Sequence, residues 1–183
     1  MINSINFKGT YIAPATVKKF DGNGEYLDKK VALVELSPIS DEDMKVMNEI
    51  SYEWDNHFTF AADIRDRFSD HYVAYNAHPR EKFYILTEQE ENFEHLDSLD
   101  VLATSQVRNT PDGVFVDFLQ VAPDYCAGNS KSPFRRIGSA FLDGIKCLYA
   151  HKNITLDPLV SVVDFYRKNG FEFFGRHMVY KAK

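Results

Sequence analysis

One stretch of sequence decides the fold: SPFRRIGSAFL, residues 132–142. It follows an apolar run, residues 114–121, that is typical of a buried strand. It also begins a segment in which apolar residues recur at helical spacing as far as Tyr149. Ser132 followed by Pro133 predicts the start of that helix. The expected order is therefore strand, loop, helix.

The first turns of this helix contain the small residues Gly138, Ser139 and Ala140, which would let a ligand approach the backbone closely. The unbonded N–H groups of a first helical turn, the helix dipole and the two preceding arginines together suit phosphate groups. An amphipathic helix with a small residue near its start is more often simply part of the core. Taken alone, the pattern leaves both interpretations open.

Two motifs in the C-terminal half narrow the choice. The first is Arg135-x-x-Gly138-x-Ala140; about 20 residues later come Asp157-Pro158 and then FYRKNGF, residues 165–171. In this order and spacing they resemble the GNAT superfamily of N-acetyltransferases, over residues 31–180. The resemblance implies a mixed α/β (α+β) fold with about seven mostly antiparallel strands, a central splay and about four helices.

The resemblance also implies an activity, which is transfer of an acetyl group from acetyl-CoA to a primary amine. The amine would attack directly, with no covalent enzyme intermediate and no metal. The pantetheine arm would bond the backbone of residues 119–121, one of whose N–H groups would polarise the thioester carbonyl. The diphosphate would rest on residues 136–140. The implied cofactor-binding residues are Leu119, Gln120, Val121, Arg135, Arg136, Ile137, Gly138, Ser139 and Ala140.

Two residues are candidates for proton transfer. Tyr166 matches the tyrosine of the family's second motif, which hydrogen-bonds or protonates the CoA sulfur; from the residues alone it could equally be a core aromatic. Asp117 is an acid inside an otherwise apolar strand, where a charge is costly unless it faces a cleft or a partner. It is the first candidate for the base that deprotonates the amine. The alternative bases are Glu53, Asp55 and His57, and Cys126 is expected to be an inert thiol.

A second hypothesis is a catalytically inactive module with the same fold that binds CoA or a protein. It stays open because Leu159 stands where the family often has an asparagine seven residues before its tyrosine. A third, an RNA-directed acetyltransferase toxin, fits poorly with the 23 acidic residues among residues 1–130.

Composition limits the partners. Residues 131–183 contain 10 Lys and Arg against 4 acids, whereas residues 1–130 contain 11 against 23. This asymmetry favours an anionic cofactor, a cationic small-molecule or protein amine as acceptor, and no nucleic acid. There is no apolar run of the ~20 residues that a membrane span needs and no secretion signal. With only two cysteines, we expect a reduced cytoplasmic protein. We expect no membrane contact, and a homodimer is compatible with the sequence.

Residues 1–28 are expected to form an N-terminal hairpin extension, with a turn at Asp21-Gly22-Asn23-Gly24, and residues 29–183 the acetyltransferase-like domain. Within the domain, Ser40 is predicted to cap a first helix and Asp157-Pro158 to begin the last one. The turn Pro111-Asp112-Gly113 is predicted to join two strands of an antiparallel meander.

Overall fold

The computed structural model describes residues 9–54, 60–73, 81–89, 93, 95–126 and 131–182, without the side chains of 71–73. These ranges contain nine strands and four helices. In chain order they are β1 (Thr10–Phe20), β2 (Tyr26–Leu36), α1 (Asp41–Trp54), α2 (Phe60–Val73), β3 (Glu81–Thr87), β4 (Val101–Thr110), β5 (Gly113–Val121), β6 (Phe134–Arg135), α3 (Ile137–Leu148), β7 (Asn153–Leu156), α4 (Val163–Lys168), β8 (Glu172–Phe174) and β9 (His177–Tyr180). No helix in the described ranges is long and apolar enough to cross a membrane.

All nine strands belong to one sheet, in the order β6-β1-β2-β3-β4-β5-β7-β9-β8. Every neighbouring pair is antiparallel except β5 and β7, which run parallel. The predicted α+β fold with a mostly antiparallel sheet and about four helices is confirmed. The described strands number nine rather than about seven.

Helices cover both faces of the sheet, and the alternation of side chains along β2 shows how. Val31 and Leu33 pack with α3 residues such as Phe141 in one core. Ala32 and Val34 point the other way and pack with α1 and α2 in a second core. The side chains of a strand alternate between the two faces of the sheet. A strand that helices cover on both faces must therefore be apolar along its whole length.

The N-terminal hairpin is part of this sheet. Its turn lies where the sequence predicts it, with Gly22 at φ 83° and Gly24 at φ 112°, and Asp21 accepts hydrogen bonds from the N–H groups of Asn23 and Glu25. The strand before this turn, β1, runs without interruption from Thr10 to Phe20. The boundary expected after residue 28 falls inside β2.

Two predicted helix starts were wrong. The long helix begins at Ile137 rather than at Ser132, because Phe134 and Arg135 form β6 by pairing with β1. The last helix begins at Val163, after a short 3-10 turn, and Asp157 does not cap it. The Asp157 side chain instead contacts the His177 ring on β9. In both cases pairing with a distant strand overrides the local capping signal.

Candidate functional site

The sheet opens between β5 and β7. The two strands pair in parallel only from Gly113–Asn153 to Val116–Leu156, where β7 ends. Strand β5 continues to Val121 with β4 on one side and, within the described part of the chain, no strand on the other. A cleft of about 1040 Å³ fills the gap and reaches the start of α3. The central splay implied by the resemblance is therefore present.

A β-bulge at Asp117 determines which backbone groups of β5 face this cleft. Phe118 lies opposite Gln106 and Val116 lies opposite Val107, so Asp117 is the extra residue. Farther along, the N–H of Ala122 donates to the carbonyl of Leu102 on β4 at 2.9 Å.

Because bonded groups alternate along an antiparallel strand, the backbone of Gln120 also faces β4. The N–H and C=O groups of Leu119 and Val121 therefore point away from β4, toward the cleft, although the Cys126 thiol, 3.6 Å away, already donates to the carbonyl of Val121. Of the predicted stretch 119–121, two residues offer their backbone to a ligand and the middle one does not.

The start of α3 supplies a second set of unbonded amides. Arg136 precedes the helix with φ 64°, and among the described non-glycine residues it alone has a positive φ. The first helical bond runs from the N–H of Ala140 to the carbonyl of Arg136, at 2.8 Å. The N–H groups of Ile137, Gly138 and Ser139 come before it and are the helix's unsatisfied donors. All three residues line the cleft, whereas Ala140 has its N–H engaged in the helix.

Gly138 is the point of closest packing at this turn. A Cβ built on it would lie 2.9 Å from Cζ of Phe165 and 3.7 Å from Cγ2 of Val121. The first turn of α3 therefore sits directly against β5 and α4, with no room for a side chain. The turn is nonetheless open on its other side, where Arg136 and Ser139 line the cleft.

Two arginines place positive charge at this end of the cleft. Arg135 and Arg136 are exposed, and neither takes part in the ion pairs seen between described residues. The guanidinium carbon of Arg135 lies 3.8 Å from the centre of the Tyr26 ring. The Tyr26 hydroxyl in turn donates to the carbonyl of Ser132 at 2.8 Å. The N-terminal hairpin therefore holds the segment that carries Arg135.

Tyr166 lies where the resemblance implies, in the wall of the cleft. Its ring is buried between Phe165 and Phe171, with centroid distances of 5.0 and 5.7 Å. Burial raises the pKa of Tyr166 to about 12. The phenol is therefore neutral, and able to donate a hydrogen bond, throughout the ordinary pH range.

Asp117 also lines the cleft, but its carboxylate is already paired. Oδ1 accepts a hydrogen bond from Nη2 of Arg108 at 2.9 Å, and Oδ2 accepts one from Nε at 3.1 Å. Both oxygens are occupied by a guanidinium whose own pKa is raised, chiefly by these hydrogen bonds. A carboxylate held by two charge-assisted hydrogen bonds is engaged with its partner rather than with a substrate, which weighs against the role expected for Asp117.

The alternative candidates are distributed differently. Glu53 lies outside the cleft and lines a separate cavity of about 340 Å³. Partial burial, and then the charges of Glu49 and Asp97, raise the pKa of Glu53. Asp55 and His57 lie outside the described residues. Cys126 is in the cleft wall, and burial raises the pKa of its thiol, as expected of an inert cysteine.

The sequence did not reveal which side chains line the opposite side of the cleft. Phe118 lies in the wall with Phe60 from α2, their ring centroids 5.5 Å apart, and the side chain of Gln120 is buried nearby on the same strand. The signal was present, since residues 118 and 120 must face away from residues 119 and 121. The apolar run gave no reason to treat the two faces separately.

Comparison with solved structures bears on the fold. A crystal structure from Desulfovibrio desulfuricans, of a proposed acetyltransferase of the GNAT family, matches with a TM-score of 0.53 and 16% identity over 82% of this chain and 96% of that chain. The PaiA N-acetyltransferase of Thermoplasma acidophilum, solved with coenzyme A, matches with a TM-score of 0.46 and 14% identity over 81% and 96%. For nourseothricin acetyltransferase the values are 0.40 and 13% over 96% and 86%.

No protein-family model and no curated protein sequence matches this chain. The match to the Desulfovibrio structure shows a shared fold, which confirms the architecture expected from the two motifs.

Proposed function

We propose that this protein transfers the acetyl group of acetyl-CoA to a primary amine. The observation that carries the proposal is a single cleft in which the unpaired edge of β5 meets the N-terminus of α3. A strand edge suits the amides of a pantetheine arm, and a helix N-terminus suits phosphate groups. The fold shared with the Desulfovibrio protein, itself a proposed acetyltransferase, adds support.

The described residues fit this cosubstrate at both ends. Leu119 and Val121 offer backbone donors and acceptors in strand geometry. At the far end, the N–H groups of residues 137–139 and the side chains of Arg135 and Arg136 would hold the diphosphate. The cleft volume of about 1040 Å³ is at the upper end of the ~300–1,000 Å³ usual for ligand pockets, as a long ligand requires.

Acetyl-CoA supplies a thioester when bound, and the protein's task is to stabilise the negative charge that develops. The amine nitrogen forms a bond to the carbonyl carbon, the carbon–sulfur bond breaks, and a proton passes from the amine to the thiolate. An N–H group of Leu119 or Val121 is placed to donate to the carbonyl oxygen.

Tyr166 is the donor for the departing sulfur in this proposal. With its pKa near 12, it is a weaker acid than a thiol, whose usual pKa is about 8.5. Complete proton transfer from Tyr166 would therefore be uphill. A hydrogen bond that stabilises the developing thiolate, with the proton supplied in the end by the amine, is the role its environment favours.

The test combines cofactor binding with turnover. Acetyl-CoA should raise the melting temperature, and free thiol should be released when an amine is added. Tyr166→Phe should leave binding unchanged and slow thiol release by about 100-fold, the lower end of the effect of removing one hydrogen-bond donor to a developing negative charge. Tyr180→Phe is the matched control, because Tyr180 packs on Phe171 but does not line the cleft.

Three results would count against parts of the proposal. Equal rates in the Tyr166→Phe and Tyr180→Phe variants would remove Tyr166 from the mechanism. Binding of acetyl-CoA without thiol release from any amine would favour the inactive CoA-binding module. No binding of acetyl-CoA would reject the function itself.

A further inference from the structure

The cleft passes through the sheet, and its two sides differ. Leu119 and Val121 face the core formed with α3 and α4, the side on which the cosubstrate would lie. Phe118 points to the opposite side, toward the core formed with α1 and α2. Gln120 shares that side because side chains alternate along β5. An amine that attacks the thioester would approach from the side of Phe118 and Gln120.

The side-chain amide of Gln120 is buried and makes no hydrogen bond to another described residue. The residue lines the cleft and is 6% exposed, yet neither Nε2 nor Oε1 of its side chain has a hydrogen-bond partner among the described residues. Buried polar groups are nearly always paired, because an unpaired one forfeits the hydrogen bonds that water gave it. One N–H donor and one carbonyl acceptor on the same side chain match the carbonyl and N–H of another amide. The site is therefore complementary to a ligand that carries an amide.

The charge around this side of the cleft does not suit a polycation. Two described carboxylates line the cleft, and each already has a cationic or imidazole partner. Asp117 is held by Arg108, and Asp157 contacts His177. A lysine-type amine, with an ordinary pKa of about 10.4, would need a base to become nucleophilic, whereas an α-amine, at about 7.7–8.0, is partly neutral near pH 7.

Resting on the proposed function, we propose that the acceptor is an α-amine next to a primary amide group, as in an amino-acid amide, because only a primary amide presents its carbonyl and an N–H on the same side. The polar atoms of Gln120 are buried, so its side chain turns toward the acceptor in this proposal: Nε2 then donates to the acceptor's carbonyl, and Oε1 accepts from the amide N–H on the same side. The Phe60 and Phe118 rings, 5.5 Å apart, favour an apolar first side chain. Gln120 is thus a specificity-determining residue on the acceptor side.

The experiment measures kcat/KM for thiol release with two matched acceptors, phenylalaninamide and phenylalanine methyl ester. They share the side chain and have similarly basic amines, but the ester lacks the amide N–H. The wild type should prefer the amide by about tenfold, the effect of one hydrogen bond to a buried group. Spermidine should be acetylated still more slowly than the ester.

Gln120→Leu should reduce the amide-to-ester ratio to about one, by raising KM for the amide, which loses two hydrogen bonds, more than KM for the ester, which loses only the one to its carbonyl. The variant should melt no lower than the wild type, because leucine removes two unpaired polar atoms at similar volume. Gln106→Leu is the matched control. Gln106 is a buried glutamine on β4 with an unpaired Oε1, but it does not line the cleft, so the ratio should stay near tenfold.

Failure of the inference is distinguishable from failure of the proposed function. If the wild type acetylates spermidine or the ester as well as the amide, the protein is an acetyltransferase and the acceptor assignment is wrong. A ratio that survives in Gln120→Leu would remove Gln120 from recognition. If none of the three amines releases thiol although acetyl-CoA binds, both the acceptor assignment and the enzymatic function are rejected.

Discussion

Gly138→Ala adds a single methyl group at the junction of the proposed cofactor site. The new Cβ would lie between Phe165 and Val121, 2.9 Å from Cζ of the ring, which is closer than atoms pack. The ring, the helix turn or both must move. Because the N–H groups of residues 137–139 belong to this turn, a shift of the turn changes their direction as well as its packing.

The magnitude can be worked out from two opposing effects. Alanine is preferred over glycine in a helix by about 1 kcal/mol, less at its first turn. Overpacking a buried site costs about 1–3 kcal/mol. The net loss in free energy of unfolding should therefore be about 0–2 kcal/mol, and the protein should stay folded. Loss of one hydrogen bond to a charged phosphate costs about 1.5–3 kcal/mol, so acetyl-CoA affinity should fall about tenfold to a hundredfold.

Gly144→Ala provides the matched control on the same helix. Its Cβ would lie 3.0 Å from Cδ2 of Leu33, in the core and outside the cleft, so its effect on stability should be similar. Calorimetric titration of both variants with acetyl-CoA, alongside denaturant unfolding, separates the two quantities. Equal affinities in Gly138→Ala and Gly144→Ala would refute the placement of the phosphates at the start of α3.

Two further predictions concern the periphery of the site and the core. Tyr26→Leu should weaken acetyl-CoA binding about threefold to tenfold by removing the stack on Arg135. Tyr26→Phe, which keeps the ring, should not, and neither variant should alter the KM for S-acetylpantetheine, which has no nucleotide. Burial raises the pKa of Asp43 to about 6, even though its carboxylate accepts hydrogen bonds from the N–H groups of Gly9 and Ser37. As the pH falls from 7 to 5, the folded state takes up a proton that the unfolded state does not, so this group should raise the free energy of unfolding by about 1 kcal/mol. Urea unfolding should show that Asp43→Asn abolishes this gain. An unchanged pH profile in the variant would contradict the prediction.

Short sequence patterns correctly predicted the elements that depend mainly on residues close together in the chain. The turn at residues 21–24 needs glycines at positive φ, and the sequence supplies them. The apolar spacing of α3 matches its buried face, which includes Phe141 and Ile145. Tyr166 lies in the cleft wall, as its motif implied.

The sequence failed where a distant partner decides the outcome. Ser132 and Pro133 are a good helix start in isolation, but the carbonyl of Pro133 accepts a hydrogen bond from the N–H of Phe20, and the chain becomes a strand. The ion pair of Asp117 is hidden as well, because nothing local reveals that Arg108, on the neighbouring strand, occupies both of its oxygens; the role of Asp117 as the base stays a prediction. The bulge at the same residue is also hidden from the sequence. A one-residue shift shows only as a break in the alternation of apolar and polar residues, and this mostly apolar strand has no such alternation.

The features that are costly in the isolated protein are concentrated in one place. Strand β7 is only four residues long, so the backbone of Leu119 and Val121 lacks the neighbouring strand with which residues 113–116 of β5 pair. The amides of residues 137–139 precede the first helical bond, and the amide of Gln120 has no partner. A longer β7 or a capping side chain would satisfy the backbone groups. A leucine at position 120 would remove the unpaired side-chain amide altogether. The convergence of these groups on a single cleft follows if one ligand with phosphates and strand-like amides, and a second with an amide of its own, complete the hydrogen bonding that the fold leaves open.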